Sequence, residues 1–152
     1  MDGKRRRATL SVRYQDTLSG LTEQQFARFC VGWREPLSGR ELYNILQNSY
    51  AFVLAFEGDT AAGFVNALSD GLKFAFIPML EVLPPYQNQG IGTNLMTRLL
   101  AKLQNIQNID LTCDPELQPF YERFEMLKSS GMVLRKYLTK EETARYRASK
   151  IL

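Results

Sequence analysis

The chain has 152 residues, of which 45% are hydrophobic and 23% are charged, and its net charge is +3. These values are ordinary for one globular domain, and so small a charge does not argue for nucleic-acid binding. The chain contains no histidine, which excludes histidine-dependent nucleophiles and histidine zinc sites and restricts any general acid or base to Asp, Glu, Tyr, Cys, Lys, a terminus or water.

The N-terminal residues 1–8 carry a basic run, which we interpret as a flexible, solvated terminus rather than a polyanion-binding arm. No apolar core of a secretory signal follows it, and no apolar run approaches the roughly 18 residues that a membrane span needs. Cys30 and Cys113 are far apart and form no metal-like pair. We therefore expect a reduced, cytoplasmic protein without a bound metal.

Apolar periodicity and turn residues predict elements in the order β-α-α-β-β-β-α-β-α-β-β. The predicted strands are residues 9–14, 50–56, 61–68, 73–82, 109–113, 127–128 and 132–138. Two helices are predicted to begin at Thr22 and at Ser38. Three more are predicted over residues 94–104, 119–124 and 139–150. Three of these helices open with a capping box of Ser or Thr followed by Glu or Gln. This order predicts an α/β domain whose mixed sheet is antiparallel in its first half and has one parallel step across a strand–helix–strand unit.

The most informative segment is residues 87–93, QNQGIGT, which joins the strand of residues 73–82 to the next helix. The first amides of a helix have no intrahelical partners and the helix dipole favours negative charge there, while Gly90 and Gly92 allow close approach of the backbone. The pattern favours a phosphate or pyrophosphate site over an ordinary turn. No lysine follows Gly92, which excludes a Walker A loop, and Leu95 excludes a G-x-G-x-x-G dinucleotide motif.

With these motifs, the chain resembles the GNAT superfamily of acetyl-CoA-dependent N-acetyltransferases. Residues 80–84 (LEVLP) and 87–92 (QNQGIG) are similar to the family's L-x-V-x-P and [Q/R]-x-x-G-x-[G/A] motifs, and residues 114–124 resemble a downstream segment that ends in a phenylalanine–tyrosine pair. The resemblance covers residues 9–138 and leaves a polar helical tail at residues 139–152. It implies a single-domain GNAT-like fold with about seven strands, in which the fourth and fifth strands are parallel and splayed apart.

The resemblance also implies how acetyl-CoA is held. Backbone groups of Leu80 and Val82 are expected to bind the pantetheine arm as an added strand would. The turn that follows is expected to hold the pyrophosphate, largely through backbone amides. The residues of this turn are Gln87, Asn88, Gln89, Gly90, Ile91, Gly92, Thr93 and Asn94.

For catalysis, the resemblance implies that Tyr121 protonates the departing thiolate, the alternative being an aromatic that only packs beside Phe120. The general base is left open between Glu81, Asp70 and Glu35, with a water chain to a backbone carbonyl as a further route. Each carboxylate has an alternative interpretation as a surface or turn residue, and Asp-Gly is a common turn pair. Cys113, at the end of a predicted strand, is interpreted as a core residue rather than a nucleophile.

The acceptor pocket is expected between the loop of residues 31–39 and the turn of residues 69–72. Trp33 either forms an aromatic wall for an amine or closes the core, and Glu35 lies close to it in sequence. One position departs from the family, whose F-Y-x-x-x-G pattern has Glu125 here in place of glycine. If that glycine takes a positive φ, Glu125 must adopt another turn or bear strain.

The leading functional interpretation is an N-acetyltransferase that transfers acetyl from acetyl-CoA to a primary amine, on a small molecule or a peptide, by direct attack in a ternary complex. Its expected partners are acetyl-CoA and the amine, with neither nucleic acid nor membrane. Members of the family often dimerise, so a homodimer is compatible with the resemblance. The alternatives are a non-catalytic acyl-CoA sensor and a generic nucleotide-phosphate binder.

Overall fold

The computed structural model describes residues 11–149. The basic run predicted to form a flexible terminus lies outside these described residues. The chain divides into one compact unit that ends at Cys113 and a second that begins at Asp114, and each is described by itself.

The first unit is built on a five-stranded sheet in the order β1-β2-β3-β4-β5. The strands are β1 Val12–Gln15, β2 Ala51–Glu57, β3 Thr60–Ser69, β4 Phe74–Val82 and β5 Asn108–Asp110. The first three pairings are antiparallel and β4 pairs with β5 in parallel. The predicted mixed sheet with a single parallel step is therefore confirmed.

A bulge interrupts β4 at Pro78. Asn66 of β3 pairs with Met79 and Leu68 pairs with Phe76, so Ile77 and Pro78 face a single residue of β3. Proline has no N–H to complete a ladder and is confined to bulges and edges within sheets. The pairing of β4 with β5 also stops at Phe76, so the β4 edge over residues 77–82 lies outside that ladder.

The helices are α1 Gly39–Gln47, α2 Ile91–Lys102, α3 Gln118–Glu122 and α4 Lys140–Ser149. The capping boxes predicted for α1 and α4 are present, since Ser38 pairs reciprocally with Glu41 and Thr139 with Glu142. At the predicted start after Thr22, the chain forms only a 3-10 helix, Glu23–Phe26, although the Thr22 N–H is bonded to Gln25 Oε1 at 2.8 Å.

The core of the first unit fills both faces of the sheet. On one face, α1 and the segment after Thr22 bury a cluster that includes Phe26, Phe29, Cys30 and Leu42. On the other, α2 buries its apolar stripe, which consists of Ile91, Leu95, Met96 and Leu99. The helical periodicity predicted for α2 is thus confirmed as the surface that packs on the sheet.

The predicted count of about seven strands is wrong, because residues 127–128 and 132–138 form no strand in the described chain. A strand is stabilised by pairing with a neighbour and by burying one face, not by its own alternation of side chains. Here Met132 is 100% exposed and Leu134 is 79% exposed. The alternating apolar residues at 127–138 therefore predict strands although no sheet of the described chain buries them.

Within residues 11–149, none of the helices is long and apolar enough to cross a membrane.

Candidate functional site

The turn between β4 and α2 has the backbone geometry of an anion site. After a 3-10 helix at Pro84–Tyr86, Asn88 and Gly90 adopt left-handed conformations, with φ of 60° and 81°. The first bond of α2 runs from the Asn94 N–H to the Gly90 carbonyl at 3.0 Å. The amides of residues 91–93 therefore precede the helical ladder at the positive end of the helix dipole.

The helix begins three residues earlier than predicted, at Ile91 rather than Asn94. This places Gly92 and Thr93 in the first helical turn, where their amides point along the helix axis. A left-handed Gly90 as N-cap allows the early start, because residues with a Cβ rarely adopt its φ.

Polar side chains of this turn fold back onto the backbone. Gln87 Nε2 donates to the Val82 carbonyl at 2.9 Å, and Gln89 Nε2 donates to the Pro85 carbonyl at 3.1 Å. Asn94 Nδ2 reaches the Gly90 carbonyl at 3.0 Å. These side-chain amides fix the shape of the turn. The donors that it presents to a ligand are then the main-chain N–H groups at the start of α2. The sequence analysis did not predict these contacts.

The edge of β4 faces the same region as the turn. The Leu83 N–H bonds the Ala62 carbonyl of β3 at 2.9 Å, so the preceding Val82 directs its backbone groups away from β3. Leu80, two residues earlier, directs its backbone groups to the same side. The open edge of β4 thus offers main-chain hydrogen-bonding groups to a ligand, and the first amides of α2 offer an anion site.

Glu81 lies on β4 between these two residues, and its carboxylate binds a different part of the chain. Both oxygens accept the Cys30 N–H, at 2.9 and 3.2 Å. Cys30 is fully buried and adopts a left-handed φ of 60°. The structure thus brings the predicted base candidate Glu81 against Cys30, a residue to which the sequence analysis gave no role at the site.

The Cys30 thiol is held in its protonated form. Burial, and then the negative charge of Glu81 and the hydrogen bond to it, raise the pKa of Cys30 to about 12. A thiol with this pKa is neutral at physiological pH and donates to the carboxylate instead of repelling it.

Asp70 forms the turn between β3 and β4. Its Oδ1 accepts the amides of Leu72 and Lys73, both at 2.8 Å, and that of Phe74 at 3.1 Å. These bonds lower the pKa of the Asp70 carboxyl. A carboxylate whose oxygen is shared by three amides is a weak base, so the contacts favour the turn interpretation of Asp70, and its catalytic role stays a prediction.

Trp33 lies in the exposed loop after Cys30, with 44% of its surface accessible. The backbone N–H of Trp33 donates to the Cys30 carbonyl at 3.4 Å and closes a turn. The interpretation of Trp33 as a core residue is therefore wrong, and an aromatic face remains accessible to a ligand. Glu35 is exposed in the same loop.

In the second unit, α3 carries Tyr121. The Tyr121 ring packs edge-on against Phe120, with centroids 5.0 Å apart, and is half-buried. The helix ends at Glu122 and is followed by a turn that reaches Glu125, whose N–H bonds the Glu122 carbonyl at 3.0 Å and whose φ is 63°. Of the two alternatives left open for Glu125, another turn or a strained backbone, the structure shows the left-handed backbone.

Cys113 is half-buried and forms no disulfide within the described residues. Within the described range 11–149, no group of three or more Cys, Asp and Glu side chains has the arrangement of a metal site.

Comparison with known proteins places this site in context. The family model of the acetyltransferase (GNAT) family matches residues 18–126. A suspected acetyltransferase from Deinococcus radiodurans R1 has a crystal structure that is similar at 41% identity and a TM-score of 0.82, covering 87% of this chain and 93% of that one. The structure of AAC(6')-Iy with the bisubstrate analogue CoA-S-monomethyl-acetylneamine shares the fold, at 16% identity and a TM-score of 0.61 over 84% of this chain and 99% of that one.

Among curated proteins, the uncharacterized N-acetyltransferase ycf52 of Gracilaria tenuistipitata var. liui is 31% identical over 99 residues, or 60% of this chain. The chain spans about half the length of that relative, 53%.

Proposed function

Since this chain belongs to the acetyltransferase (GNAT) family, we propose that it is an N-acetyltransferase that transfers the acetyl group of acetyl-CoA to a primary amine of a small molecule or a peptide. The observation that carries the proposal is the turn at Gly90, where a left-handed glycine opens α2 and leaves the amides of residues 91–93 outside the helical ladder. We further propose that residues 9–138 form the acetyltransferase domain.

In this proposal the backbone of residues 87–94 holds the pyrophosphate of acetyl-CoA, and Thr93 adds its hydroxyl. The open edge of β4 at Leu80 and Val82 binds the pantetheine arm through main-chain groups. Because Gln87 already donates to the Val82 carbonyl, the Val82 N–H and the Leu80 groups provide the main-chain contacts. Affinity here depends on backbone geometry, so Gly90 matters more than the polar side chains around it.

Acetyl-CoA supplies a thioester, so that the amine nitrogen bonds to the acetyl carbon as the C–S bond breaks and CoA leaves as a thiolate. We assign Tyr121 as the acid that gives its phenolic proton to this thiolate, on the resemblance of residues 114–124 to the family. Ordinary pKa values are about 10 for phenol and about 8.5 for a thiol, so this transfer is only mildly uphill. General acid catalysis of this kind contributes on the order of 10²–10⁴-fold.

The amine must lose a proton before it attacks, and we propose that water carries this proton away. The Asp70 carboxylate already accepts backbone amides that lower its pKa, which weakens it as a base. The Glu81 carboxylate is already engaged by the Cys30 amide. Glu35 is exposed and has a more peripheral role in the proposal, as a charge that attracts the ammonium form of the acceptor.

The acceptor is proposed to meet Trp33. An exposed indole attracts a cationic amine by a cation–π contact worth roughly 0.5–2 kcal/mol. The proposal therefore favours acceptors that carry the reactive amine on a compact cationic group.

A change of Tyr121 to Phe tests the enzyme. Removing the phenolic proton should lower kcat by about 10²–10⁴-fold, while the dissociation constant for acetyl-CoA stays close to that of the wild type. A matched control is Tyr146→Phe, which removes the phenolic hydroxyl of a half-exposed tyrosine on α4. This variant should retain activity. Both are measured by release of free CoA with an amine panel and by calorimetric titration of acetyl-CoA.

Binding of acetyl-CoA without any acetylation would support the sensor alternative. If the wild type binds acetyl-CoA tightly yet acetylates no amine in a broad panel, the chain acts as an acyl-CoA sensor and the enzymatic proposal fails.

Two further proposals concern the setting. Neither Cys30 nor Cys113 forms a disulfide within the described residues, and disulfides persist mainly in oxidising compartments, so we propose a cytoplasmic location. The resemblance to the family also suggests a homodimer, for which sedimentation of the purified protein is the direct test.

A further inference from the structure

We propose that Glu81 is a positioning residue, which fastens the Trp33 turn, residues 30–33, to β4 and so sets the place where the acceptor amine meets Trp33. The inference rests on the proposed function for the identity of the acceptor. The contacts that carry it do not depend on catalysis, so the two can fail separately.

The first step is that both backbone polar groups of Cys30, its N–H and its carbonyl, are hydrogen-bonded in the Trp33 turn. The Cys30 N–H donates to both oxygens of Glu81, at 2.9 and 3.2 Å. The Cys30 carbonyl accepts the Trp33 N–H at 3.4 Å. Trp33 is therefore separated from the Glu81 carboxylate by a single hydrogen-bonded turn.

The second step is that this backbone shape needs an anchor. Cys30 and Gly32 have φ of 60° and 83°. The left-handed conformation is unfavourable for a residue with a Cβ, so Cys30 retains it only where its surroundings over-determine it. A charge-assisted hydrogen bond from the Cys30 N–H to the half-buried Glu81 carboxylate supplies such an anchor.

The third step is that the Cys30 thiol does not oppose the anchor. Burial and the Glu81 charge raise the pKa of Cys30 to about 12, so the thiol stays neutral and does not repel the carboxylate. Glu81 thus faces an N–H and an S–H donor of the same residue.

The fourth step is the place of Glu81 on β4. Its neighbours Leu80 and Val82 direct their backbone groups to the open edge, where the proposed pantetheine contacts lie, while its side chain reaches Cys30 on the face that packs against α1. One residue therefore joins the strand proposed to hold the donor to the turn proposed to meet the acceptor.

Fluorescence gives a test that needs no substrate, because Trp33 is the single tryptophan of the chain. In Glu81→Ala the turn loses its anchor, and the acrylamide quenching constant should rise by up to about twofold, as a side chain that is 44% exposed approaches full exposure. In Glu81→Gln the amide oxygen still accepts the Cys30 N–H, so quenching should remain near the wild type.

Two additional variants serve as a control and as a substitute for Glu81→Ala. Asp59→Ala removes an exposed carboxylate from the turn between β2 and β3 and should leave Trp33 unchanged. Glu81→Met has a similar volume but no acceptor, so it replaces Glu81→Ala if that variant does not fold. Equal quenching in the wild type and in a folded Glu81→Ala or Glu81→Met variant would overturn the inference.

Kinetics with an active amine then separate positioning from proton transfer. Positioning predicts that Glu81→Ala raises the amine KM by about tenfold or more, with a smaller effect on the acetyl-CoA KM, and that Glu81→Gln restores both with an unchanged pH profile. If Glu81→Gln instead loses about 10²–10⁴-fold in kcat and the acidic limb of its pH profile, Glu81 is the general base and the positioning role is rejected. If no amine reacts while the quenching result holds, the proposed function fails and the anchor stands.

Discussion

At the scale of single residues, Glu125 shows what one substitution relative to a family pattern can predict. The F-Y-x-x-x-G pattern has glutamate at its last position, and the structure gives that glutamate a φ of 63° in the turn after α3. The sequence could name strain as one of two alternatives, the other being a different turn, because both depend on local backbone geometry. A left-handed residue with a Cβ costs roughly 1–2 kcal/mol.

We therefore expect Glu125→Gly to stabilise the protein. Relief of the left-handed strain, less the roughly 0.5–1 kcal/mol that glycine loses in conformational entropy, leaves a gain of about 0.5–1 kcal/mol in the free energy of unfolding. Urea denaturation measures it, with Glu116→Gly in the 3-10 helix Pro115–Leu117 as the matched control. The control should lose stability, and a loss in Glu125→Gly as well would contradict the strain.

The role of Glu81 illustrates the limit at this scale. The sequence identified its carboxylate as chemically notable, but its partner Cys30 is 51 positions away and belongs to a different element. Strand alternation puts the Glu81 side chain on the face opposite those of Leu80 and Val82, whereas no local pattern reveals which backbone amide meets that face. Long-range polar contacts of this kind depend on packing and were not predictable.

At the scale of elements, the same contrast recurs. The capping boxes at Ser38 and Thr139 were predicted because a cap involves residues three positions apart. The bulge in β4 was missed, although Pro78 inside an apolar run is a visible signal for it. Its effect, the end of the β4–β5 pairing at Phe76, is tertiary and needed the structure.

The turn between β3 and β4 gives a pH-dependent prediction. Amides of Leu72, Lys73 and Phe74 lower the pKa of Asp70 in the folded state, below the unfolded value of about 3.9. The ionised carboxylate therefore stabilises the fold above about pH 4, and this contribution is lost as the pH falls through the folded pKa. In Asp70→Asn, the loss of stability between neutral and strongly acidic pH should be smaller than in the wild type, as read from urea midpoints.

A control for this experiment lies in the same turn. The Ser69 hydroxyl donates to the Phe74 carbonyl at 2.7 Å and accepts the Gly71 N–H at 3.0 Å, and it does not titrate in this range. Ser69→Ala should lower stability similarly at every pH. An Asp70→Asn variant with the full acid dependence of the wild type would show that Asp70 does not contribute to it.

At the scale of the whole molecule, the sequence predicted the order of elements through α3, with a 3-10 helix in place of the first predicted helix, but overestimated the sheet. The five observed strands lie in the unit that ends at Cys113, where each strand has a neighbour. Residues 127–138 show apolar side chains of similar character without any partner strand among the described residues. Local alternation therefore predicts a strand only where the rest of the fold supplies an edge.

Ligand binding connects the turn at Gly90 to the stability of the entire fold, because a ligand that binds only the folded state raises the free energy of unfolding. At a concentration of 100 times the dissociation constant, the increase is about 2.7 kcal/mol. We expect CoA and acetyl-CoA to raise the melting temperature well above the effect of equimolar ATP. A shift with ATP as large as that with CoA would favour a generic nucleotide-phosphate site instead.

Gly90→Ala and Gly58→Ala separate the ligand effect from backbone strain. Both glycines have a positive φ, 81° and 57°, so alanine should lower the melting temperature of the free protein in each case. Gly58 lies in the hairpin turn between β2 and β3, so its variant should retain the full shift with CoA. Gly90→Ala should lose most of the shift, because its strain displaces the amides of residues 91–93, and a full shift in that variant would move the pyrophosphate site away from α2.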